Sequence, residues 1–180
     1  MISSEILSEI RSEVLEIVKK RVDHSSLKGS LGISKKSDFS IVTLVDKEVS
    51  DLVHKKLSGL ITRDGHHFFS EEDQKSFGFP AIILDPIDGT KEFIKKNDEF
   101  TINIALVQKN TPVLGVVYAP AIDEMYKAKK GEGAFKNNQK LPLKTNDNPK
   151  EKLFVVASKS HLSEETQEFI NKLDSKEIEQ

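Results

Sequence analysis

A series of short apolar stretches between residues 67 and 137 constrains the fold more than any other feature of the sequence. FPAIIL, residues 79–84, is a continuous apolar run with the length of a buried strand. In FTINIAL, residues 100–106, large apolar residues alternate with smaller or polar ones, as in a strand with one face in a core. VLGVVY follows after the turn QKNTP, and EMYKA and GAFKN are separated by a turn that contains glycine. This spacing predicts two consecutive hairpins.

Two amphipathic helices are predicted before the strands. Apolar residues recur at helical spacing from Ile6 to Val18, so a helix is expected over residues 4–22. The second helix should begin at Thr43-Leu-Val-Asp46, which has the pattern of a capping box, and Gly59 is expected to end it. Helices followed by strands predict a layered fold of the α+β or α/β class.

The loop TNDNPKEK, residues 145–152, is the best candidate for a domain boundary. Residues 1–145 are predicted to form an N-terminal α+β domain. After the loop come one strand, LFVVAS, and one helix, SEETQEFINKL. A single strand and helix make a poor autonomous domain, so residues 150–180 are predicted to be the start of an incomplete C-terminal α/β domain.

The composition excludes several classes of function. With no cysteine among 180 residues, disulfide partners, thiolate zinc sites and a cysteine nucleophile are excluded. The apolar runs are too short to span a membrane, and the acidic N-terminal segment does not have the pattern of a signal peptide. A net charge of −2 gives no general attraction to a nucleic acid polymer. We therefore expect a soluble, cytoplasmic protein.

The segment LDPIDGT, residues 84–90, combines two acids with a glycine and a threonine. Asp85 should emerge at the carboxyl end of the apolar strand, where sheets packed with helices usually bind ligands. Pro86 stiffens the link from Asp85 to Asp88, and Gly89 permits an unusual backbone angle or a close approach by a ligand. Thr90 can begin a helix whose first N–H groups point back toward the acids. A cation between the acids and a phosphate at the N–H groups would suit this arrangement. Residues 1–145 are therefore predicted to form a metal- and phosphate-binding domain.

A second acidic group, Glu71-Glu72-Asp73, also follows a strand-like run. Carboxylate oxygens suit Mg²⁺, which takes hard oxygen ligands. The alternative is structural, because Asp-Pro-x-Asp-Gly is also favourable turn chemistry and acids 71–73 could be a solvated loop. Like charges that converge at two strand ends repel unless a cation separates them, which favours the metal site without excluding the turn.

LDPIDGTKEFI, residues 84–94, closely resembles the signature of the inositol monophosphatase superfamily of Mg²⁺-dependent, lithium-sensitive phosphatases. SEED, residues 70–73, resembles the Glu-Glu metal motif of that family, and KKSDFSIVTLVD, residues 35–46, resembles an earlier segment of it. GTKEFI, EFTINIALV, PVLGVVYAP and MYKAKKGEGAF are most similar to the 3′(2′),5′-bisphosphate nucleotidase branch. That branch removes a phosphate from 3′-phosphoadenosine 5′-phosphate, a by-product of sulfate assimilation. The resemblance implies an inositol monophosphatase-like sugar-phosphatase fold with a truncated second domain.

The resemblance also implies roles for individual residues. The implied ligands of two or three Mg²⁺ ions are Glu71, Asp85, Asp88 and the main-chain carbonyl of Ile87. The implied substrate-binding residues are Glu71, Asp85, Gly89, Thr90 and Lys91, the last three through their backbone. Thr90 would orient a metal-activated water for in-line attack, Asp46 would accept the hydroxyl proton of Thr90, and Glu72 would act near the metal or through water. Asp46 would also stabilise the helix dipole from the first turn, so both roles stay open for it.

The sequence departs from the family at its C-terminal end. Family members continue into a Trp-Asp-x-Ala-Ala segment whose Asp completes the metal site, and this chain contains no tryptophan. The predicted function is hydrolysis of 3′-phosphoadenosine 5′-phosphate, a nucleoside bisphosphate, to AMP and phosphate. The alternatives are an inositol or sugar monophosphatase, and a catalytically incomplete fragment that acts as a binding or interaction module. Family members often pair as dimers, so a homodimer is one expected partnership, with no interface assigned.

Overall fold

The computed structural model describes residues 2–23, 33–35, 41–71, 78–142, 152–157, 162–173 and 177–179. The chain divides into two compact units, Met1–Pro142 and Leu143–Gln180. The metal and phosphate binding expected of residues 1–145 stays a prediction. The incomplete α/β domain expected at residues 150–180 also stays a prediction. Among the helices of the described ranges, none has the length and apolar character needed to cross a bilayer.

The described residues contain five helices, of which four belong to the first unit. They are α1 Ser4–Asp23, α2 Leu44–Lys56, α3 Ser58–Arg63, α4 Thr90–Lys95 and α5 Glu164–Asn171. The predicted helix over 4–22 is confirmed as α1. The predicted capping box is confirmed at the start of α2, where the Thr43 hydroxyl accepts from the backbone N–H of Val45 at 3.2 Å.

The expectation that Gly59 ends the second helix was wrong. α2 ends at Lys56, and after Leu57 the chain enters α3, which includes Gly59. Leu57 is 1% exposed, so the break keeps an apolar side chain in the core. Gly59 does not adopt the left-handed backbone conformation with which a glycine commonly ends a helix, and it lies within α3 instead.

The strands of the described residues form three sheets. They are β1 Ser34–Lys35, β2 Ile41–Val42, β3 His67–Ser70, β4 Ala81–Asp88, β5 Thr101–Gln108, β6 Thr111–Ala119, β7 Glu124–Lys129, β8 Gly133–Lys136, β9 Gln139–Lys140, β10 Lys152–Phe154 and β11 Glu177–Glu179. β1 pairs with β2, β10 pairs in parallel with β11, and the largest sheet has the order β3-β4-β5-β6-β7-β8-β9. Within it β3 and β4 are parallel and the other neighbours antiparallel. The two predicted hairpins are confirmed as β5–β6 and β7–β8.

One apolar core holds the first unit together. Alternate side chains of the central strands, such as Leu84, Ile104 and Val116, face the helices and form one cluster with apolar residues of α1 and α2. The helix residues Val14 and Val49 are fully buried in this cluster. The side chains at the intervening strand positions point to the opposite face of the sheet, because successive strand residues alternate. Asp85 and its cross-strand partner on β5 lie on that opposite face.

The acids of the Asp-Pro-Ile-Asp segment lie within a strand. The expectation that Asp85 directly follows the strand was wrong, because β4 continues to Asp88. Asp85 pairs with Asn103 and Asp88 pairs with Thr101, with a register shift between the two pairs. The shift is a β-bulge that includes Pro86, which has no N–H to donate to the neighbouring strand.

The second unit has few described residues. α5 begins after Ser163, whose hydroxyl accepts from the backbone N–H of Thr166 at 3.2 Å. Ile170 on this helix is buried, whereas the adjacent Phe169 is 65% exposed. The predicted helix of this region corresponds to α5. The predicted strand LFVVAS overlaps β10 only at Leu153 and Phe154, since residues 155–157 are not in a strand and Ser158 lies outside the described residues, and β11 was not predicted.

Candidate active site

The parallel pairing of β3 and β4 brings two of the predicted acids to the same edge of the sheet. Ser70, the last residue of β3, lies opposite Leu84 of β4. The N–H of Glu71 then donates to the carbonyl of Leu84 at 3.0 Å. Glu71 and Asp85 are therefore the next residues on adjacent parallel strands, and like charges meet there.

Asp85 is the most perturbed acid of this edge. The pKa of Asp85 is raised to about 7, mainly by burial and also by the charges of Glu71 and Asp88 and by a hydrogen bond with the Glu71 side chain. The backbone N–H of Ile87 donates to the carboxylate and acts in the opposite direction. Among the described residues, the Oδ1 atom of Asp85 has no hydrogen-bond partner although it is buried. A buried, unpartnered carboxylate oxygen is costly unless it takes up a proton or a cation.

Asp88 is held by an amide that the acidic motifs did not indicate. The Nδ2 group of Asn103 donates to Oδ2 of Asp88 at 3.0 Å. The hydroxyl of Thr101 donates to Oδ1 of the same asparagine at 3.1 Å. Asn103 occupies one of the polar positions of an alternating strand, and that pattern alone indicates only a residue outside the core.

Ser50 and Ser70 form a second contact that sequence reasoning missed. The hydroxyl of Ser50 on α2 donates to the hydroxyl of Ser70 at 3.0 Å, and both residues are buried. This bond ties the carboxyl end of β3 to α2 directly before Glu71. No signal in the sequence distinguishes these serines from surface serines.

Gly89 connects the acids to α4 in a conformation that other residues rarely adopt. Its φ is +94°, and a Cβ atom added to it would lie 2.7 Å from the backbone carbonyl oxygen of Glu99. The first backbone bond of α4 runs from Phe93 N to Gly89 O at 2.8 Å, so the N–H groups of the preceding residues have no acceptor within the helix. The hydroxyl of Thr90 donates to the carbonyl of Ile87 at 3.0 Å.

The remaining predicted residues are placed as follows. Lys91 is exposed in the first turn of α4. Asp46 is buried in the first turn of α2, where its Oδ2 accepts from the N–H of Thr43 at 2.7 Å and from the hydroxyl of Thr43 at 2.5 Å. The proposed transfer of the Thr90 proton to Asp46 stays a prediction, since the Thr90 hydroxyl is directed to Ile87. Glu72 lies outside the described residues.

The chemistry of these residues fits a hard divalent cation. Within the described ranges no three Asp, Glu or His side chains are grouped as a ready metal site. Two other features nevertheless match what such an ion requires. One is the buried, unpartnered oxygen of Asp85, and the other is the concentration of negative charge from Glu71 and Asp88 around it. Carboxylate and carbonyl oxygens are the ligands that Mg²⁺ prefers.

Comparisons with known proteins identify the family and the relatives of this chain. The sequence profile of the Inositol monophosphatase family matches residues 3–178. A 3′(2′),5′-bisphosphate nucleotidase CysQ of Salmonella typhimurium is 45% identical over 146 residues, which cover 78% of this chain and 58% of the relative. The chain thus spans little more than half the length of that curated relative.

Solved structures show the same fold. A Staphylococcal IMPase-I complexed with products superposes with a TM-score of 0.74 at 21% identity, over 97% of this chain and 64% of that one. An IMPase/NADP phosphatase complexed with Mg²⁺ and phosphate gives a TM-score of 0.70 at 23% identity, over 97% of this chain and 65% of that one. These likenesses confirm the predicted layered sugar-phosphatase fold. Because the family profile matches nearly the whole sequence, the chain belongs to the inositol monophosphatase family.

Proposed function

We propose that the site is the catalytic centre of a Mg²⁺-dependent phosphomonoesterase that hydrolyses 3′-phosphoadenosine 5′-phosphate to AMP and phosphate. The observation that carries this proposal is Asp85, whose buried Oδ1 is unpartnered and whose charge is opposed by two neighbouring acids. Such a carboxylate is favourable at neutral pH when a cation shares its charge. A phosphate ester brings its own negative charge and requires a cation for the same reason.

The residues that would hold Mg²⁺ are Glu71, Asp85, Asp88 and the carbonyl of Ile87. The Ile87 carbonyl accepts one hydrogen bond, from Thr90, and a carbonyl oxygen has a second lone pair for another partner. Bound Mg²⁺ would supply positive charge to the phosphate oxygens and lower the pKa of the attacking water.

The chain's own contribution on the phosphate side would come from the backbone of Gly89, Thr90 and Lys91. These N–H groups precede the first backbone bond of α4, so they can donate to phosphate oxygens. The Asp46 carboxylate would accept the hydroxyl proton of Thr90. It would also fix the start of α2 through its bonds to Thr43. The assignment of these roles rests on the family resemblance.

The choice of substrate is supported by the relative that is 45% identical, whose name is a bisphosphate nucleotidase. A second candidate is an inositol or sugar monophosphatase, which the family match supports equally well. A third is a catalytically incomplete module, because the chain spans 58% of that relative. The three differ in what the purified chain does with defined phosphate esters.

The deciding experiment measures phosphate release by the purified 180-residue chain from 3′-phosphoadenosine 5′-phosphate and from inositol 1-phosphate, with and without Mg²⁺. Release from the nucleotide that requires Mg²⁺ and is abolished by Asp88→Asn supports the proposal. The matched control is Asp51→Asn, which changes an exposed acid on α2 and should leave the rate unchanged. Faster release from the inositol ester favours the second candidate, and a folded chain that releases phosphate from neither ester is the incomplete module.

A further inference from the structure

We propose that Asn103 is a positioning residue that orients the Asp88 carboxylate for binding a divalent cation. This inference rests on the function proposed above. It concerns a residue outside the acidic motifs, on β5, the strand antiparallel to the one that carries the acids. Asn103 would act through Asp88 without contacting the substrate.

The hydrogen bonds around Asn103 permit one orientation of its amide. A carboxylate at neutral pH only accepts hydrogen bonds, so the group that faces Asp88 Oδ2 at 3.0 Å must be the NH₂ group. The Oδ1 atom is thereby turned toward the Thr101 hydroxyl, which donates to it at 3.1 Å. Thr101, Asn103 and Asp88 form a directed chain of two bonds that ends on the acid.

The bond from Asn103 to Asp88 crosses the bulge of β4. Asn103 is the register partner of Asp85, whereas Asp88 is the register partner of Thr101. The amide therefore reaches diagonally past the irregular residues between the two acids. Because backbone pairing is interrupted at that point, a side-chain bond is needed to define where the second acid lies relative to the first.

The chemistry of an amide suits this task. Asp88 is exposed at the end of its strand and is repelled by the charge of Asp85, so it would otherwise turn away. Among the described residues, the Asn103 amide supplies the hydrogen bond that the Asp88 side chain accepts. A lysine or arginine in this position would neutralise the acid and compete with a cation. A neutral donor fixes the carboxylate and leaves its charge available.

The experiment compares Mg²⁺ and Ca²⁺ binding by the full 180-residue chain, measured by isothermal titration calorimetry and by the rise in melting temperature with each ion. Asn103→Ala should weaken Mg²⁺ binding about tenfold, the usual scale for a residue that orients a metal ligand. Ca²⁺ binding should weaken less, because Ca²⁺ accepts irregular coordination and Mg²⁺ does not. Thr101→Val should weaken Mg²⁺ binding less than Asn103→Ala does, and it should again affect Mg²⁺ more than Ca²⁺. Asn138→Ala is the matched control, since it removes the 3.0 Å hydrogen bond that Lys127 of β7 donates to Asn138 in the turn between β8 and β9.

The outcomes separate this inference from the proposed function. A wild-type chain that binds no Mg²⁺ overturns both. A wild type that binds Mg²⁺ and an Asn103→Ala variant that binds it equally well overturn the inference alone. Equal weakening of Mg²⁺ and Ca²⁺ also overturns it, since that result indicates a general loss of structure. If Asn103→Ala does not fold, Asn103→Ser, whose side chain is too short to reach Asp88, takes its place with the same expected results.

Discussion

Gly89 offers a direct test of how tightly the backbone beside the acids is packed. In Gly89→Ala the new Cβ would lie 2.7 Å from the carbonyl oxygen of Glu99, and the residue would keep a φ of +94°. The positive φ costs a residue with a Cβ about 1–2 kcal/mol. The contact is with backbone, which cannot rotate away as a flexible side chain can, and overpacking of this kind costs about 1–3 kcal/mol more. We therefore expect a loss of about 2–5 kcal/mol in the free energy of unfolding.

The matched control is Gly133→Ala. Gly133 has the same φ of +94°, but a Cβ there would only touch the flexible end of Lys140 at 3.5 Å. Urea unfolding of both variants and the wild type separates the cost of the positive φ from the cost of the close contact. Both variants carry the same φ, so the difference between their free energies of unfolding reports the contact with Glu99 alone. A third variant, Gly115→Ala, introduces neither and should be close to neutral. If Gly89→Ala costs no more than Gly133→Ala, the close approach to Glu99 does not constrain the site and the reasoning is wrong.

Two further predictions concern the carboxyl group of Asp85 and the hydroxyl group of Thr43, which caps α2. The pKa of Asp85 lies at about 7 in the folded protein, against an ordinary value of 3.8 for an aspartate side chain, so the folded state binds the proton more tightly. The metal-free protein should therefore lose stability as pH rises from about 4 to 7, by about 2 kcal/mol after allowance for solvent screening, and Asp85→Asn should remove this dependence in unfolding curves measured across that range. A variant that keeps the full pH dependence would contradict the assignment. Thr43→Val removes the hydroxyl that accepts from Val45 and donates to Asp46, and it should cost about 1 kcal/mol in urea unfolding, whereas Thr111→Val should not.

Much of the fold could be predicted from periodicity because the pattern and the burial agree. The helical spacing of α1 and the alternation in β5 each mark the face that enters the core, and the structure buries those faces. The limits of β4 could not be predicted in this way. Asp-Pro-Ile-Asp has turn chemistry, yet the segment stays extended because β5 pairs with it on both sides of the bulge. Likewise the continuation of the chain into α3 could not be predicted from Gly59, because glycine often ends a helix but here lies inside one.

The acids of the site could be predicted from the sequence, because each follows an apolar stretch. The contact between Asn103 and Asp88 could not, because it depends on an irregularity in strand pairing. Glu71 and Asp85 each follow an apolar stretch, so their meeting needed only that β3 and β4 be parallel neighbours. The role proposed for Asn103 depends on the bulge. Without the extra residue, Ile87 would pair with Thr101, and Asp88 would point to the other face of the sheet, out of reach of Asn103. No pattern in FTINIAL indicates which of its polar residues contacts an acid, so the sequence could not identify it.

The arrangement of the site links its stability to what it binds. The parallel pairing of β3 and β4 holds the backbones of Glu71 and Asp85 side by side, so these two acids cannot separate to relieve their repulsion. At neutral pH either a proton or a cation that binds to the Asp85 carboxylate relieves its repulsion by Glu71 and Asp88. Below a pH of about 7 a divalent ion that binds there must therefore displace the proton, so its affinity falls as the solution becomes more acidic. Above that pH the same ion binds a charged carboxylate directly, and the repulsion that weakens the metal-free fold then contributes to binding the ion.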